Sequence, residues 1–232
     1  MASGGGPASH EIPAIIAGFP TQIEAFDIAG TPIALVTVRD LEQHVDREQL
    51  LHDESTVPPY WALVWGGAKA LAEHLATRVD CAGRSVLDVG CGLGLVALTA
   101  AARGAAVTAI DRDVSGLVAA DNIELVAADL EDGSPWPLPG RTFGAVVVTN
   151  YLHRPLFPHL IAALQPGGIL LYETFMAGNE RFGRPSRPEF LLEDGELLEL
   201  VRGRCSVIAY EARMISEPAM AMVQRIAARR TS

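Results

Sequence analysis

Residues 86–94 of the chain read Val86-Leu87-Asp88-Val89-Gly90-Cys91-Gly92-Leu93-Gly94. An apolar run that ends in an acidic residue and three spaced glycines predicts a buried strand, a glycine turn and a helix beginning near Leu95. A glycine turn lets a ligand lie against bare backbone, and the N-terminus of the next helix offers unpaired N–H groups. The segment therefore predicts a ligand-binding turn between a strand and a helix.

The spacing of these glycines separates two classes of cofactor. A dinucleotide fingerprint has its glycines two and then three residues apart, whereas Gly90, Gly92 and Gly94 are two and two apart, and the bulky Leu95 stands at the third dinucleotide position. An ordinary turn of an α/β protein is the alternative. The pattern D-x-G-x-G-x-G resembles motif I of the class I S-adenosylmethionine-dependent methyltransferases. The resemblance implies that the three glycines pack against the methionine part of that cofactor.

The composition predicts a single α/β domain with a small extension. The chain has 232 residues, of which 49% are hydrophobic and 20% charged, so a large core can form. Its net charge of −10 argues against stable binding of nucleic acid. Three scattered cysteines fit neither a disulfide framework nor a metal site, and they favour a reducing, cytoplasmic location. No apolar run reaches the roughly 18 residues that a membrane span needs.

The chain divides into a tail, an extension and a core. Residues 1–20 are predicted to be a disordered tail and residues 21–232 a single domain, with an N-terminal extension and cap over 21–84 and a core over 85–232. The extension is predicted to contain a hairpin and two helices, at 22–28 with 32–38, at 41–51 and at 61–79.

Strand and helix patterns alternate through the core, which predicts parallel strands joined by right-handed crossovers. We expect a Rossmann-like, doubly wound and mostly parallel seven-stranded sheet, and the family resemblance implies an antiparallel C-terminal strand. The predicted strands are 85–90, 106–111, 123–128, 144–149, 168–174, 204–211 and 219–227. The predicted helices are 94–103, 155–164 and 194–202, with a short one over 114–120 and a helix-to-strand turn at Gly167-Gly168.

Acidic residues end the first three strands of the predicted core. Asp111 comes about 20 residues after the glycine turn, where an acid can accept hydrogen bonds from ribose hydroxyls of either cofactor class; a helix cap is the alternative. The resemblance implies that Asp88 supports the glycine turn and the cofactor ammonium group. It also implies that Asp129 and the backbone of Leu130 meet the adenine. Arg112 is predicted to stack on the adenine.

Polar residues follow the fourth and fifth strands, at the edge where ligands bind in open α/β sheets. We assign Asn150 to the cofactor, and Tyr151, His153 and Glu173 to orienting or deprotonating the acceptor. Histidine is a side chain well suited to accept a proton near neutral pH, so His153 is a candidate base; an ordinary surface-loop histidine is the alternative.

Two further groups of residues are candidates for contact with cofactor and substrate. Trp61 and Trp65 stand in a Pro-Tyr-Trp…Trp segment that resembles the lysine-directed family 16 methyltransferases, which implies that they cover the site; core packing is the alternative. We assign Trp65 to the cofactor and Trp61 to the substrate. The C-terminal half resembles the tellurite-resistance-type bacterial methyltransferases.

Three arginines at three-residue spacing, Arg181, Arg184 and Arg187, follow the fifth strand and could bind an anionic substrate; a solvated loop is the alternative.

These residues predict an S-adenosylmethionine-dependent methyltransferase acting on nitrogen, oxygen or sulfur of a small molecule or a protein side chain. An NAD-dependent oxidoreductase and a non-catalytic cofactor-binding module are the alternatives. We predict no metal ion in the site, and the sequence leaves the methyl acceptor and the oligomeric state open.

Overall fold

The computed structural model describes residues 14–44, 59–117, 120–217 and 219–231. Its N-terminal part is a small antiparallel sheet of β1 (Ile15–Ile16), β2 (Phe19–Ile28) and β3 (Thr31–Val38). The hairpin turns at Ala29-Gly30, where both residues have positive φ and the Gly30 N–H donates to Asp27 Oδ1 at 2.9 Å. The predicted hairpin is present. The predicted disordered tail is wrong for residues 14–20, because β1 pairs with the start of β2.

Among the described residues, two helices follow the hairpin. The first, α1 (Leu41–His44), is the described part of the helix predicted over 41–51, of which residues 45–51 lie outside the described ranges. The second, α2 (Gly66–Arg78), starts five residues later than predicted. A 3-10 turn at Tyr60–Ala62 precedes it, and Trp65 has an extended backbone. The two tryptophans therefore do not share one helix face.

The described residues of the core form one seven-stranded sheet in the order β6-β5-β4-β7-β8-β10-β9. The strands from β6 to β8 are parallel to their neighbours, and β10 is antiparallel to both β8 and β9. This confirms the predicted mostly parallel sheet with an antiparallel C-terminal strand. The strands are β4 (Ser85–Val89), β5 (Ala106–Asp111), β6 (Ile123–Ala127), β7 (Phe143–Thr149), β8 (Leu164–Phe175), β9 (Cys205–Ile215) and β10 (Ala221–Arg230).

The helices of the core lie close to their predicted positions: α3 (Leu95–Ala102), α4 (Phe157–Ala162) and α5 (Glu196–Val201). The short helix predicted over 114–120 is not formed by its described residues, since 114–117 make a turn closed by a Leu117 N–H to Val114 O bond of 3.1 Å. Gly167-Gly168 is an irregularity within β8 and not a turn before it.

Apolar side chains cover both faces of the sheet. Leu87 and Val89 of β4 point to the face that packs on α4 and α5, whereas Val86 points to the face that packs on α2 and α3. A third cluster joins Leu35 of the hairpin to Leu95, the first residue of α3. The extension therefore supports the helix that follows the glycine turn, and the carboxyl ends of β4–β7 meet at one edge.

Candidate active site

The glycine turn is held against the neighbouring strand. The N–H groups of Gly90 and Cys91 both donate to the carbonyl oxygen of Ile110 in β5, at 2.9 and 3.1 Å. All three motif glycines have positive φ, a region that L side chains rarely adopt. A Cβ atom on Gly90 would also come within 3.0 Å of the Tyr151 ring. The turn therefore requires glycine both for its backbone and for the approach of Tyr151.

Two carboxylates lie beneath this turn. Asp88 is 1% exposed; the Ala97 N–H donates to its carboxylate, and Asp88 Oδ1 has no partner among the described residues. Burial, and then the nearby Asp111, raise the pKa of Asp88 to about 7. Asp111 Oδ2 accepts a 2.8 Å hydrogen bond from the Gly92 N–H, and burial raises its pKa as well. Burial raises the pKa of the Cys91 thiol well above its ordinary value, so this side chain stays a neutral thiol.

A cavity of about 550 Å³ opens above the turn, at the carboxyl edge of β4–β7. Its volume is within the range of small-molecule sites. All but three of the predicted site residues line it. They are Trp61, Trp65, Asp88, Gly90, Gly92, Gly94, Asp111, Arg112, Asp129, Leu130, Asn150, Tyr151, Arg184 and Arg187.

Asn150 lies at the end of β7 in a left-handed conformation, with φ of 54°. Its N–H donates to the carbonyl oxygen of Glu173 at 2.8 Å, which holds the strained residue in place. Its side-chain Oδ1 is buried and has no hydrogen-bond partner among the described residues. Asp88 and Asn150, which both line the cavity, thus each keep one buried acceptor atom without a partner among the described residues.

The ring of Tyr151 packs on Gly90, and its hydroxyl is hydrogen-bonded to the carboxylate of Glu131. Burial and the negative charge of Glu131 raise the pKa of the phenol far above its ordinary value. Tyr151 therefore keeps its proton at neutral pH and can orient a ligand rather than act as a base. Glu131 lines the cavity too, although it is not among the predicted site residues. It follows Asp129 and Leu130 directly in the chain.

Both tryptophans contact aromatic neighbours at the wall of the cavity. Trp65 meets Phe175 edge-on, with ring centroids 5.8 Å apart, and Trp61 meets Phe19 in the same way at 6.0 Å. Both tryptophans therefore pack against an aromatic neighbour and also line the cavity.

Three predicted site residues do not line the cavity. His153 lies just before the 3-10 turn Arg154–Leu156. Glu173 pairs with Arg225, with Oε2 2.8 Å from Nε, and a Cβ atom on Gly67 at the start of α2 would lie 2.2 Å from Glu173 Oε1. Burial raises the pKa of Glu173, while Arg225 opposes the rise.

Arg181, the third of these residues, extends along its own loop. Its guanidinium lies over the Phe182 ring, and its Nε donates to the carbonyl oxygen of Gly178 at 3.1 Å.

Residues 177–195, which we call the arm, connect β8 to α5 and carry Arg184 and Arg187. Arg154 holds the end of the arm: it forms a bidentate pair with Glu196 at 2.6 and 2.8 Å, and it donates to the carbonyl oxygens of Glu189 and Leu191 at 3.0 and 2.8 Å. No signal in the sequence points to this role of Arg154, because its four contacts lie more than 30 residues away along the chain.

Exchanging Arg154 for Lys is expected to loosen the arm, because an ammonium cannot reproduce the planar, four-bond arrangement of the guanidinium. We expect the rate of amide hydrogen exchange in residues 182–191 to rise about tenfold. This increase corresponds to the loss of one to two net hydrogen bonds. Hydrogen-exchange mass spectrometry measures this.

Arg141→Lys is the matched control. Arg141 makes a comparable bidentate pair with Glu124, at 2.9 and 2.6 Å, but contacts no arm residue. Unchanged exchange of the arm in Arg154→Lys would show that other contacts hold it.

Part of this chain is similar to known proteins. A family model described as a methyltransferase domain matches residues 86–168, a segment that contains the glycine turn, Asp111, Asp129 and Asn150. Over these residues the chain is similar to methyltransferase domains. The predicted resemblance of the chain to the class I S-adenosylmethionine-dependent methyltransferases is thereby confirmed.

Two curated relatives are similar to part of this chain. The electron transfer flavoprotein beta subunit lysine methyltransferase of Danio rerio is 44% identical over 70 residues, which cover 29% of this chain and 27% of that enzyme. The ribosomal protein L11 methyltransferase of Phocaeicola vulgatus is 36% identical over 111 residues, or 44% of this chain and 37% of that enzyme. The chain thus spans less than half the length of either relative.

A solved structure agrees on the fold. TehB from Haemophilus influenzae superposes with a TM-score of 0.54 at 18% identity, over 73% of this chain and 63% of that one. Similarity at this level shows that the methyltransferase domain has the Rossmann-like class I fold. Within the described ranges, no helix has the length and apolar character to cross a membrane.

Proposed function

We propose that the chain is an S-adenosylmethionine-dependent methyltransferase acting on nitrogen, oxygen or sulfur of a small molecule or a protein side chain. The observation that carries the proposal is the meeting, in one cavity, of residues that follow four neighbouring parallel strands. They are Gly90 after β4, Asp111 at the end of β5, Asp129 after β6 and Asn150 after β7. Ligands of open α/β sheets bind at this carboxyl edge.

The polar groups of the cavity match the chemistry of this cofactor. The unpaired Oδ1 atoms of Asp88 and Asn150 are acceptors, as an ammonium group requires. Asp111 keeps acceptor capacity for ribose hydroxyls beside its bond to Gly92. We assign Asp129 and the backbone of Leu130 to contact with the adenine. When bound, the cofactor supplies an electrophilic methyl group on a sulfonium, which passes to the acceptor.

The residues of this chain favour catalysis by positioning. Tyr151 keeps its proton, and Glu173 is held by Arg225 outside the lining. The described lining contains neither a histidine nor a lysine. Methyl transfer can proceed from the alignment of two reactants, which is worth effective molarities of about 10⁵ M and above. We therefore assign Tyr151 an orienting role, and we do not assign His153 or Glu173 the role of an acceptor-contacting base.

The two alternative functions have less support. Leu95 stands where a dinucleotide fingerprint needs glycine; it is 3% exposed and packs against the hairpin and α2. A non-catalytic binding module would share the cofactor site, so only turnover separates it from an enzyme.

The net charge bears on the class of substrate, and the state of the cysteines bears on the cellular compartment. The net charge of −10 supports a substrate other than nucleic acid. The three cysteines, Cys81, Cys91 and Cys205, are free, which supports a reducing compartment such as the cytoplasm.

Thermal melting with S-adenosylmethionine, S-adenosylhomocysteine and NAD tests the cofactor. A ligand at 100 times its Kd stabilises by about 2.7 kcal/mol, which raises the Tm of a chain of this size by about 5–10 °C. We expect this shift with the two sulfur nucleosides only. A shift with NAD alone, or none with any of the three, would contradict the proposal. Formation of S-adenosylhomocysteine with candidate acceptors then separates an enzyme from a binding module.

A further inference from the structure

β9 is the last strand at one edge of the seven-stranded sheet, and its outer side has no neighbouring strand among the described residues. Its 11 residues include neither proline nor lysine. Three of its large apolar side chains are exposed: Val207 at 46%, Ile208 at 55% and Met214 at 55%. Proteins often protect an edge strand by proline, by lysine or by a short length, because its free N–H and C=O groups can pair with another chain. β9 lacks these three protections and can accept a further strand.

A β-bulge divides β9 into two parts. The register with β10 shifts between Ala227 and Ala228, so that Ile208 is an extra residue without an opposite partner on β10. Over residues 209–215 the register is uninterrupted. Because a bulge bends its strand and disrupts regular pairing, only these residues can extend the sheet without a break. We call residues 209–215 the edge segment; its middle residue is Ala212.

Charged side chains alternate in sign across one face of the sheet as far as the edge segment. Glu173 of β8 lies opposite Arg225 of β10, and Arg225 lies opposite Glu211 of the edge segment. Glu211 Oε2 is 3.6 Å from Arg225 Nη1, and it is 3.5 Å from Nε of Arg213, two residues along the same face. Opposite charges stabilise a sheet when they lie directly across from each other. A strand added beyond β9 therefore fits best with a positive charge opposite Glu211 and a negative charge opposite Arg213.

A second copy of the edge segment supplies these charges. When two copies pair in antiparallel direction about Ala212, Glu211 lies opposite Arg213 of the second copy, and the same pair recurs on the other side of the axis. This register uses the whole edge segment, and on the other face of the sheet it places Met214 opposite Tyr210 of the second copy. Pairing about Glu211 or Arg213 would set like charges directly opposite each other, which destabilises a sheet. Pairing about Tyr210 would place no charge opposite its counterpart.

We propose that the chain forms a symmetric dimer in which the edge segments of two copies pair in antiparallel direction about Ala212 and join the two sheets into one. A twofold axis makes such an interface self-complementary, so each contact occurs twice. One strand from each copy gives an interface smaller than that of stable complexes, which places the dimer among the weak associations. We expect a dimer Kd of about 10 μM.

Sedimentation equilibrium from about 1 to about 200 μM protein, a range that brackets the expected Kd, measures this association. Ala212→Lys sets two ammonium groups opposite each other at the twofold axis, and the exposed position tolerates the longer side chain. We expect it to raise the dimer Kd at least about tenfold, because juxtaposed like charges in an interface are strongly unfavourable. Ser206→Lys is the matched control. Ser206 is an exposed residue of the same strand outside the edge segment, and its substitution should leave the Kd unchanged.

Two charge variants test the register. Arg213→Glu alone sets two pairs of glutamates opposite each other across the axis, and Glu211→Arg alone sets two pairs of arginines, so each variant by itself should raise the dimer Kd at least about tenfold. A mixture of the two variants restores an opposite charge at both positions. We expect the mixture to form a heterodimer with a Kd within about threefold of the parent value. Thermal melting checks that each variant is folded, since Glu211→Arg also removes the contact with Arg225.

Several outcomes would overturn the dimer. A parent protein that stays monomeric over the whole concentration range would do so, as would a dimer that keeps its Kd in Ala212→Lys. Equal weakening by Ser206→Lys would overturn the pairing about Ala212, and so would a mixture of folded charge variants that stays monomeric while the parent associates. The measurements use the protein without any ligand, so their result is independent of the proposed function.

Discussion

Replacing Asp111 with Ala is expected to weaken S-adenosylmethionine binding by about 100-fold. Hydrogen bonds to a charged acceptor contribute about 1.5–3 kcal/mol each, and the loss of two through one carboxylate reaches the 2.7 kcal/mol that a 100-fold change represents. The alanine also removes the acceptor of the Gly92 N–H, so the glycine turn loses one of its three hydrogen bonds to β5. Isothermal titration calorimetry measures the effect directly.

A second substitution separates the two contributions at this position. Asp111→Asn keeps one oxygen that can accept from Gly92, but its amide N–H₂ can only donate and so cannot accept from a ribose hydroxyl. We expect Asp111→Asn to keep the thermal stability of the parent and still lose most of the affinity. Asp113→Ala is the neighbouring control, because Asp113 lies outside the cavity lining and accepts from the Ser115 N–H. Parent-like binding by Asp111→Asn would remove the carboxylate from the cofactor site.

Replacing Asp88 with Asn is expected to stabilise the protein at pH 8 while weakening its cofactor binding. Burial raises the pKa of Asp88 from an ordinary 3.8 to about 7, so the folded state disfavours the charged form. A difference of about three pKa units corresponds to about 4 kcal/mol of unfolding free energy. Asparagine has the same shape without the charge, so it does not carry this penalty. It also lacks the charge that we assign to the cofactor ammonium.

The pH range of the effect follows from proton linkage. Below about pH 4 the carboxyl is protonated in both the folded and the unfolded state, and Asp88 does not penalise folding. Between about pH 4 and 7 the folded state binds the extra proton, so the unfolding free energy falls as the pH rises. Above pH 7 the full penalty remains. The stability gained by Asp88→Asn should therefore be small at pH 4 and largest above pH 7.

Chemical denaturation at a series of pH values measures this difference. The exposed Asp121 is a control, since Asp121→Asn should shift the unfolding free energy by at most a few tenths of a kcal/mol at any pH. A constant difference between Asp88→Asn and the parent across the series would show that the pKa of Asp88 is the same in the folded and the unfolded protein.

The residues that we assign to the cofactor were predictable because they belong to local patterns. The run that ends at Asp88 and continues through Gly90, Gly92 and Gly94 specifies strand, turn and helix within about 15 residues. Asp111 follows from the same reasoning, since it ends the next parallel strand, and adjacent parallel strands bring their carboxyl ends to one edge.

Contacts between distant segments were not predictable in this way. Glu173 is predicted to orient or deprotonate the acceptor, and the sequence gives no sign that the antiparallel register of β8 and β10 places Arg225 opposite it in an ion pair. Arg154 gave no signal beside His153, although its partners Glu189, Leu191 and Glu196 hold the arm. Each of these contacts depends on strand order and on the path of a long loop.

The sequence by itself determined the class of fold, the glycine turn and the acids around it, because backbone preference and hydrophobic periodicity act over a few residues. Only the tertiary structure decided which of the three arginines face the cavity, that Tyr151 is buried against Gly90 with its proton retained, and that Asp88 and Asn150 each keep an unpaired oxygen. Burial, proton affinity and hydrogen-bond partners are properties of a residue's neighbours in space, and those neighbours come from segments far apart in the chain.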